Sequence, residues 1–87
     1  MASPASRSKP QRRPIGLAPL RGFEAAARQL SFTTAAAELS LTQSSISRQI
    51  ATLERQVGKA LFVRKTRALA LTPAGAQLLQ AVQQALR

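Results

Sequence analysis

The sequence of 87 residues has no cysteine, histidine, tryptophan or tyrosine, and its only acidic residues are three glutamates. Without cysteine, neither a disulfide framework nor a thiolate metal site can form. Without histidine, zinc would have to rest on carboxylates alone, so neither a metal nor any other cofactor is expected. There is no paired-carboxylate motif and no glycine-rich phosphate loop, so no general acid–base pair assembles and an enzyme is not expected. Three phenylalanines are the whole aromatic complement. The core must therefore be Leu, Ile, Val and Ala, which favours packed helices over a sheet sandwich. No apolar run approaches the roughly 20 residues needed to cross a bilayer. The positively charged N-terminus lacks the apolar stretch of a secretory signal. A cytoplasmic protein with no membrane partner is the expectation.

Positive charge is what the sequence has in excess. Thirteen Lys and Arg against three Glu give a net charge of +10. Such an imbalance points to a polyanion: DNA, RNA or an anionic membrane surface. On composition alone, a basic solubilising surface explains it as well. The length suits one small domain.

Residues 1–16 form the first compositional segment. Met1 to Pro14 hold three Pro, three Ser and four basic residues, and nothing large and apolar follows Met1. Such a segment cannot bury a hydrophobic face, and reads as a flexible basic tail. It serves as a phosphate-tracking or minor-groove arm, or as a solubilising leader. Residues 17–72 carry the periodic patterns of a folded module. Leu20, Phe23, Ala27 and Leu30 recur at helical spacing and predict a first amphipathic helix from Ala18 to Leu30. Ser31 and Phe32 interrupt it, and Thr33 or Thr34 is placed to cap a short second helix ending at Leu39. After Ser40-Leu41, Thr42 caps a third helix reaching about Val57, where Gly58 supplies a left-handed end. Leu61-Phe62-Val63 and Leu69-Ala70-Leu71 predict two short strands around the basic turn Arg64-Lys65-Thr66-Arg67. Thr72-Pro73 then opens a fourth helix over residues 73–87, with Thr as N-cap and Pro at the first helical position.

A short helix, a tight turn and a longer second helix constitute a helix-turn-helix, here Thr34–Leu39 and Thr42–Val57. Such a unit needs one face of its second helix locked in a core and the other free to enter a major groove. At 100° per residue, Ile46, Ile50, Leu53 and Val57 form a narrow apolar stripe. Ser44, Arg48, Ala51 and Arg55 lie opposite, flanked by Ser45, Ser47 and Thr52. Small side chains let the helix sink into the groove, while Arg48 is long enough for guanine O6/N7 or a phosphate. Gln43, in the first turn, suits adenine or a phosphate. The hydroxyls of Thr33, Thr34, Ser44 and Ser47 suit phosphates, helped by helix N-termini. Any solvated helix face is polar, but ordinary ones are rich in Glu and Lys, and this one has no acid between Leu39 and Leu53. The basic turn 64–67 reads as a hairpin tip lying along the DNA backbone or in a narrow minor groove, or simply as a solvated charged tip. Glu38 and Glu54 read as surface partners for neighbouring cations such as Arg55 and Lys59, and Glu24–Arg28 as an i,i+4 pair.

The runs Phe23-Glu24-Ala25-Ala26-Ala27, Ser31-Phe32-Thr33, Ala35-Ala36, Leu39 and Thr42-Gln43-Ser44-Ser45-Ile46-Ser47-Arg48-Gln49-Ile50 stand in a fixed order. Leu53-Glu54, Gly58, Leu61-Phe62, Arg64, Arg67 and Leu71-Thr72-Pro73-Ala74-Gly75 continue it. Together they resemble the N-terminal domain of LysR-type transcriptional regulators, from about Leu17 to Arg87. The resemblance implies a mainly α fold: a winged helix-turn-helix with a three-helix core, a short two-stranded β wing and a C-terminal linker helix. It implies that double-stranded DNA carrying an interrupted inverted repeat is the partner, bound by a homodimer. Gln43, Ser44, Ser45, Ser47 and Arg48 would take the base-reading positions, and Thr33 a phosphate. Arg67 would be the minor-groove arginine of the wing, and Arg64 a basic wing position that supports the strand or a backbone contact. Thr34, Lys65 and Thr66 are backbone or minor-groove candidates from the hydroxyl and basic-turn patterns. Leu78, Leu79, Val82 and Leu86 of the linker helix are the expected core or dimer seam. Many members have Pro where Ser44 or Ser45 stands, so a hydroxyl here replaces an apolar contact, and many have Gly where Ala68 stands. The family continues into a two-lobed effector domain that this sequence does not include, so a fragment or a truncated relative is expected.

Two further readings use the same charge. A membrane-surface protein would need cations on the polar face of the last helix, and Ala74–Leu86 has none. An RNA-binding or protein-interaction winged helix would want exposed aromatics for stacking. Phe23, Phe32 and Phe62 all fall at expected core positions.

Overall fold

The computed structural model describes residues 16–86; the tail, apart from Gly16, and Arg87 lie outside them. Helix α1 (Leu17–Gln29) starts from an extended Gly16 that offers no side-chain cap. Pro19 sits in its first turn, where a missing N–H costs nothing. The helix turns Gly22, Phe23, Ala25, Ala26 and Ala27 inward. Leu30, expected on its apolar face, instead ends the helix in the left-handed region at φ 50° and is exposed.

Helix α2 (Phe32–Glu38) begins ahead of its expected caps, Thr33 or Thr34. Ser31, extended at φ −160°, is the N-cap, and its hydroxyl accepts the Thr34 N–H at 3.0 Å. Phe32 therefore stands in the first turn, where its ring is drawn into the core, and Thr33 and Thr34 stay exposed within the helix. Ser40 takes φ 58° to make the sharp turn into α3 (Gln43–Val57). Thr42 caps α3 by accepting the Ser45 N–H at 3.0 Å, and Gly58 ends it at φ 82°. Ile46, Ile50 and Leu53 are fully buried. The stripe stops there: Val57 is 37% exposed because α1 and α2 no longer cover the last turn of α3.

Strands β1 (Phe62–Lys65) and β2 (Ala68–Leu71) pair antiparallel, with Phe62 opposite Leu71 and Lys65 opposite Ala68. Arg64 and Lys65 thus belong to the strand and only Thr66-Arg67 to the turn, a tighter tip than the sequence pattern suggests. Among the described residues, positive φ occurs only at Leu30, Ser40 and Gly58. The tip closes without one, so the turn does not require a glycine at Ala68.

Helix α4 (Pro73–Ala85) follows at once, with Thr72 accepting the Gly75 N–H at 3.0 Å. The junction is tight: Thr72 Oγ1 donates to the Ala60 carbonyl at 2.7 Å, and Thr72 N–H to that of Leu61 at 3.1 Å. A Cβ on Gly75 would lie 2.2 Å from the Leu61 carbonyl oxygen, so only glycine fits this crossing.

The result is a winged helix-turn-helix: α1, α2 and α3 enclose one core, α4 packs on α1 and β2, and the hairpin projects from one side. The phenylalanine rings join the parts. Phe62 of β1 lies 5.6 Å from Phe23 of α1 and 5.4 Å, edge to face, from Phe32 of α2.

Candidate nucleic-acid interface

The first turns of α2 and α3 meet at one edge of the molecule. There the Thr33 hydroxyl donates to Gln43 Oε1 at 3.3 Å, leaving the Gln43 amide N–H groups as outward donors. Gln43, Ser44 and Arg48 are exposed, while Ser45 and Ser47 are half-buried. The Ser45 hydroxyl is already engaged, accepting from Thr42 Oγ1 at 3.0 Å within the cap. Of the expected base-facing residues it is the least free. Arg48 lies beside Pro19 of α1 along a shallow groove shared with Ser45, Gln49 and Thr52. This adjacency of the α1 N-terminus to the recognition helix has no local sequence signal, because it depends on how α1 crosses α3. The Gln49 side-chain oxygen packs close to Gly22.

The wing divides by strand alternation. Arg64 shares a face with buried Phe62, so its guanidinium is carried over the Phe32 ring, 4.8 Å from the centroid. That contact holds Arg64 next to the first turn of α2, where Thr33 and Thr34 are exposed. Lys65, Thr66 and Arg67 are all exposed.

The three acids are tied down elsewhere. Arg28 donates to Glu24 at 2.9 and 3.1 Å and to Glu38 at 2.6 Å, and Gln29 also donates to Glu38. The hydrogen bonds that Arg28 donates to Glu24 and Glu38 raise the Arg28 pKa, and the bond from Arg28 lowers that of Glu38. Glu38 thus meets a cation, though Arg28 rather than Arg55 or Lys59. Glu54 meets none: its carboxylate accepts the backbone N–H of Leu61 at 2.8 Å and of Phe62 at 3.4 Å. Leu61 is fully buried and the strand ladder starts only after it, so its N–H needs an acceptor from outside the sheet. Among the described residues the only ion pairs are those of Arg28, which leaves Arg48, Arg55, Arg64, Lys65 and Arg67 without an acidic partner. No cluster of metal-ligating side chains occurs among them either.

On α4, Val82 is only 3% exposed and belongs to the chain's own core, so it cannot face a second copy. Leu78, Leu79 and Leu86 are half-buried against that core, and Gln77, Gln80, Ala81 and Gln84 face outward. No helix among the described residues is long and apolar enough to cross a membrane.

Residues 17–76 match the model of the bacterial regulatory helix-turn-helix proteins of the LysR family. The chain belongs to the LysR family. Its relatives in that family include the transcriptional activator AmpR of Providencia stuartii, 55% identical over 60 residues, covering 69% of this chain and 20% of the relative. The glycine cleavage system transcriptional activator of Escherichia coli is 55% identical over 56 residues, covering 64% of this chain and 18% of the relative. The chain thus spans about a fifth of the length of the curated relatives it matches. Among solved LysR-family structures, the BenM DNA-binding domain in complex with catB site 1 DNA superposes with a TM-score of 0.78 at 38% identity, covering 82% of this chain and 79% of that one. Corynebacterium glutamicum OxyR superposes at 0.81 with 39% identity, covering 85% of this chain and 23% of that one.

Proposed function

We propose that this LysR-family chain reads duplex DNA as the operator-binding domain of a bacterial transcription regulator. One observation carries the reading. The outer face of α3 and the wing present Arg48, Arg55, Lys65 and Arg67 with no acid paired to them, while every glutamate is engaged by Arg28 or by backbone amides. A surface left with uncompensated cations and short hydroxyls suits phosphates and base edges.

In this reading α3 enters the major groove by its N-terminal half. Arg48 donates to guanine O6/N7, and Gln43 donates to a purine N7 or a phosphate. Ser44 and Ser47 make short contacts, and Ser45 joins them through its own O–H, since in the cap its oxygen only accepts. Thr33 and Thr34 take phosphates with Arg64, which the Phe32 ring holds beside them. Lys65 and Thr66 follow the backbone and Arg67 reaches the adjacent minor groove. Two copies on an interrupted inverted repeat would pair through the outward face of α4, using the exposed edges of Leu78, Leu79 and Leu86. The role is binding rather than catalysis, and its place is the bacterial cytoplasm, on the nucleoid.

A fluorescence-anisotropy titration of a duplex with an interrupted inverted repeat against a scrambled duplex, over a salt series, tests this. A preference for the repeat that survives rising salt is the expected result. Equal affinities that collapse together with salt would reduce the role to non-specific charge.

A further inference from the structure

Residues 60–62 are the point where three elements meet, and Glu54 is the side chain that locks it. Glu54 projects from the recognition helix α3, one turn before Gly58 ends it. Its Oε2 accepts the N–H of Leu61 at 2.8 Å and of Phe62 at 3.4 Å, at the base of the wing. From the other side, Ala60 accepts the Thr72 hydroxyl and Leu61 accepts the Thr72 N–H, where β2 passes into α4. We infer that Glu54 is a positioning residue for DNA recognition: by holding these amides it fixes the wing to the recognition helix, so that both grooves are met in one register.

The physical case is that a hairpin of two four-residue strands is not rigid on its own. What aims its tip is its base. Phe62 and Leu61 anchor the base by apolar packing, which resists separation but tolerates sliding and rotation. A hydrogen bond to an ionised carboxylate is directional and strong, and supplies the missing constraint. Glu54 touches no DNA in this arrangement, and Lys59 and Arg55, its neighbours in sequence, are not its partners. The inference rests on the DNA-reading role proposed above.

The test compares Glu54→Gln with Glu54→Ala in the full chain. The two carry the same net charge, and the amide oxygen of Gln still accepts from the Leu61 N–H. Each is titrated on the repeat duplex with and without Arg67→Ala. Expected is a loss of about tenfold for Glu54→Ala relative to Glu54→Gln when Arg67 is present, and less than twofold when it is replaced, because coupled positions are non-additive. Equal affinity of the two Glu54 variants, or the same loss in both backgrounds, overturns the inference and leaves Glu54 a stability residue. Should Glu54→Ala fail to fold by thermal unfolding, Glu54→Asp against wild type runs the same cycle at constant charge with a reach one methylene shorter. Wild-type protein that prefers neither duplex would instead sink the DNA-reading role itself, so the two failures are told apart.

Discussion

Arg28 on α1 and Arg48 on α3 are the same residue type in opposite circumstances. Arg28 is gripped by Glu24 and Glu38, with Gln29 closing the cluster, and so fastens α1 to the end of α2. Arg48 stands exposed on a helix with no acid within reach, next to Pro19 and Thr52. In a chain with only three carboxylates, two of them converging on a single arginine is a choice about where charge is neutralised. Where α1 meets the end of α2, charge is satisfied within the chain. The proposed contact side is left in deficit, which a phosphate backbone would fill in the proposed role. Net charge alone hides this division, since the same +10 spread evenly would offer no oriented surface.

The contrast breaks most sharply at Arg48. Arg48→Ala should weaken binding to the repeat duplex by about 1–3 kcal/mol, roughly 5- to 150-fold, while relaxing base preference at one position. Its thermal unfolding should be unchanged, since the side chain holds nothing in the fold. Losses of equal size on repeat and scrambled duplexes would make it a phosphate contact. Arg28→Ala should do the reverse. Its Tm falls by a few degrees as α1 loses its tie to α2, as expected for an exposed network. Its affinity for the repeat changes far less than that of Arg48→Ala at the same salt. A pair of variants that moved Tm and affinity in parallel would erase the distinction between the two faces.

The sequence made this division partly legible. Thr42, Gly58 and Thr72-Pro73 announced helix ends because capping is local: the threonines each need only an N–H three residues on, and Gly58 a positive φ and a carbonyl four residues back. The acid-free outer face of α3 was equally visible, being a matter of 100° steps. Failures arose where the deciding partner is remote in sequence. Val57 fits the periodicity of Ile46, Ile50 and Leu53, but nothing in the stripe says that α1 and α2 stop covering it. Phe32 reads as an interruption of the first helix, and the ring that it meets in the core, Phe62, lies thirty residues later. Glu54, flanked by Arg55 and close to Lys59, has the sequence of a surface ion pair. Its true partners are amides seven and eight residues on, brought near by the turn after Gly58. Val82 reads like its neighbours Leu78, Leu79 and Leu86 until the packing of α4 on α1 selects it for the core.

The wing sharpens the comparison by a smaller step. Lys65 shares the outward face of β1 with Val63 and makes no contact with an acid. Lys65→Gln should lower affinity for repeat and scrambled duplexes alike and reduce the slope of log affinity against log salt by about 0.9, one phosphate's worth. Retention of the full slope would show that Lys65 points away from the backbone and that Arg64 and Arg67 carry the wing alone. Thermal unfolding of this variant should match wild type, as with Arg48→Ala.

The smallest expected effect lies on the satisfied side and depends on pH. The hydrogen bond from Arg28 is the main cause that holds the Glu38 carboxyl below its usual value; desolvation opposes it and the bond from Gln29 adds to it. A carboxyl whose folded value is depressed binds fewer protons in the folded than in the unfolded state, so stability rises with pH across that interval. The contribution is complete above the ordinary glutamate value, about 4.3, and disappears as pH falls through the lowered folded value. Glu38→Gln removes the titrating group and keeps a hydrogen-bond acceptor for Arg28. The Tm of wild type should therefore exceed that of Glu38→Gln modestly at pH 7, and the gap should close as pH falls below the ordinary glutamate value. Arg48→Ala, measured over the same range, should track wild type throughout, because no carboxylate answers to Arg48. A Tm gap for Glu38→Gln that stays constant down to pH 3 would mean that the cluster stabilises by packing of the side-chain stems alone, and that the neutralised face owes nothing to its charge.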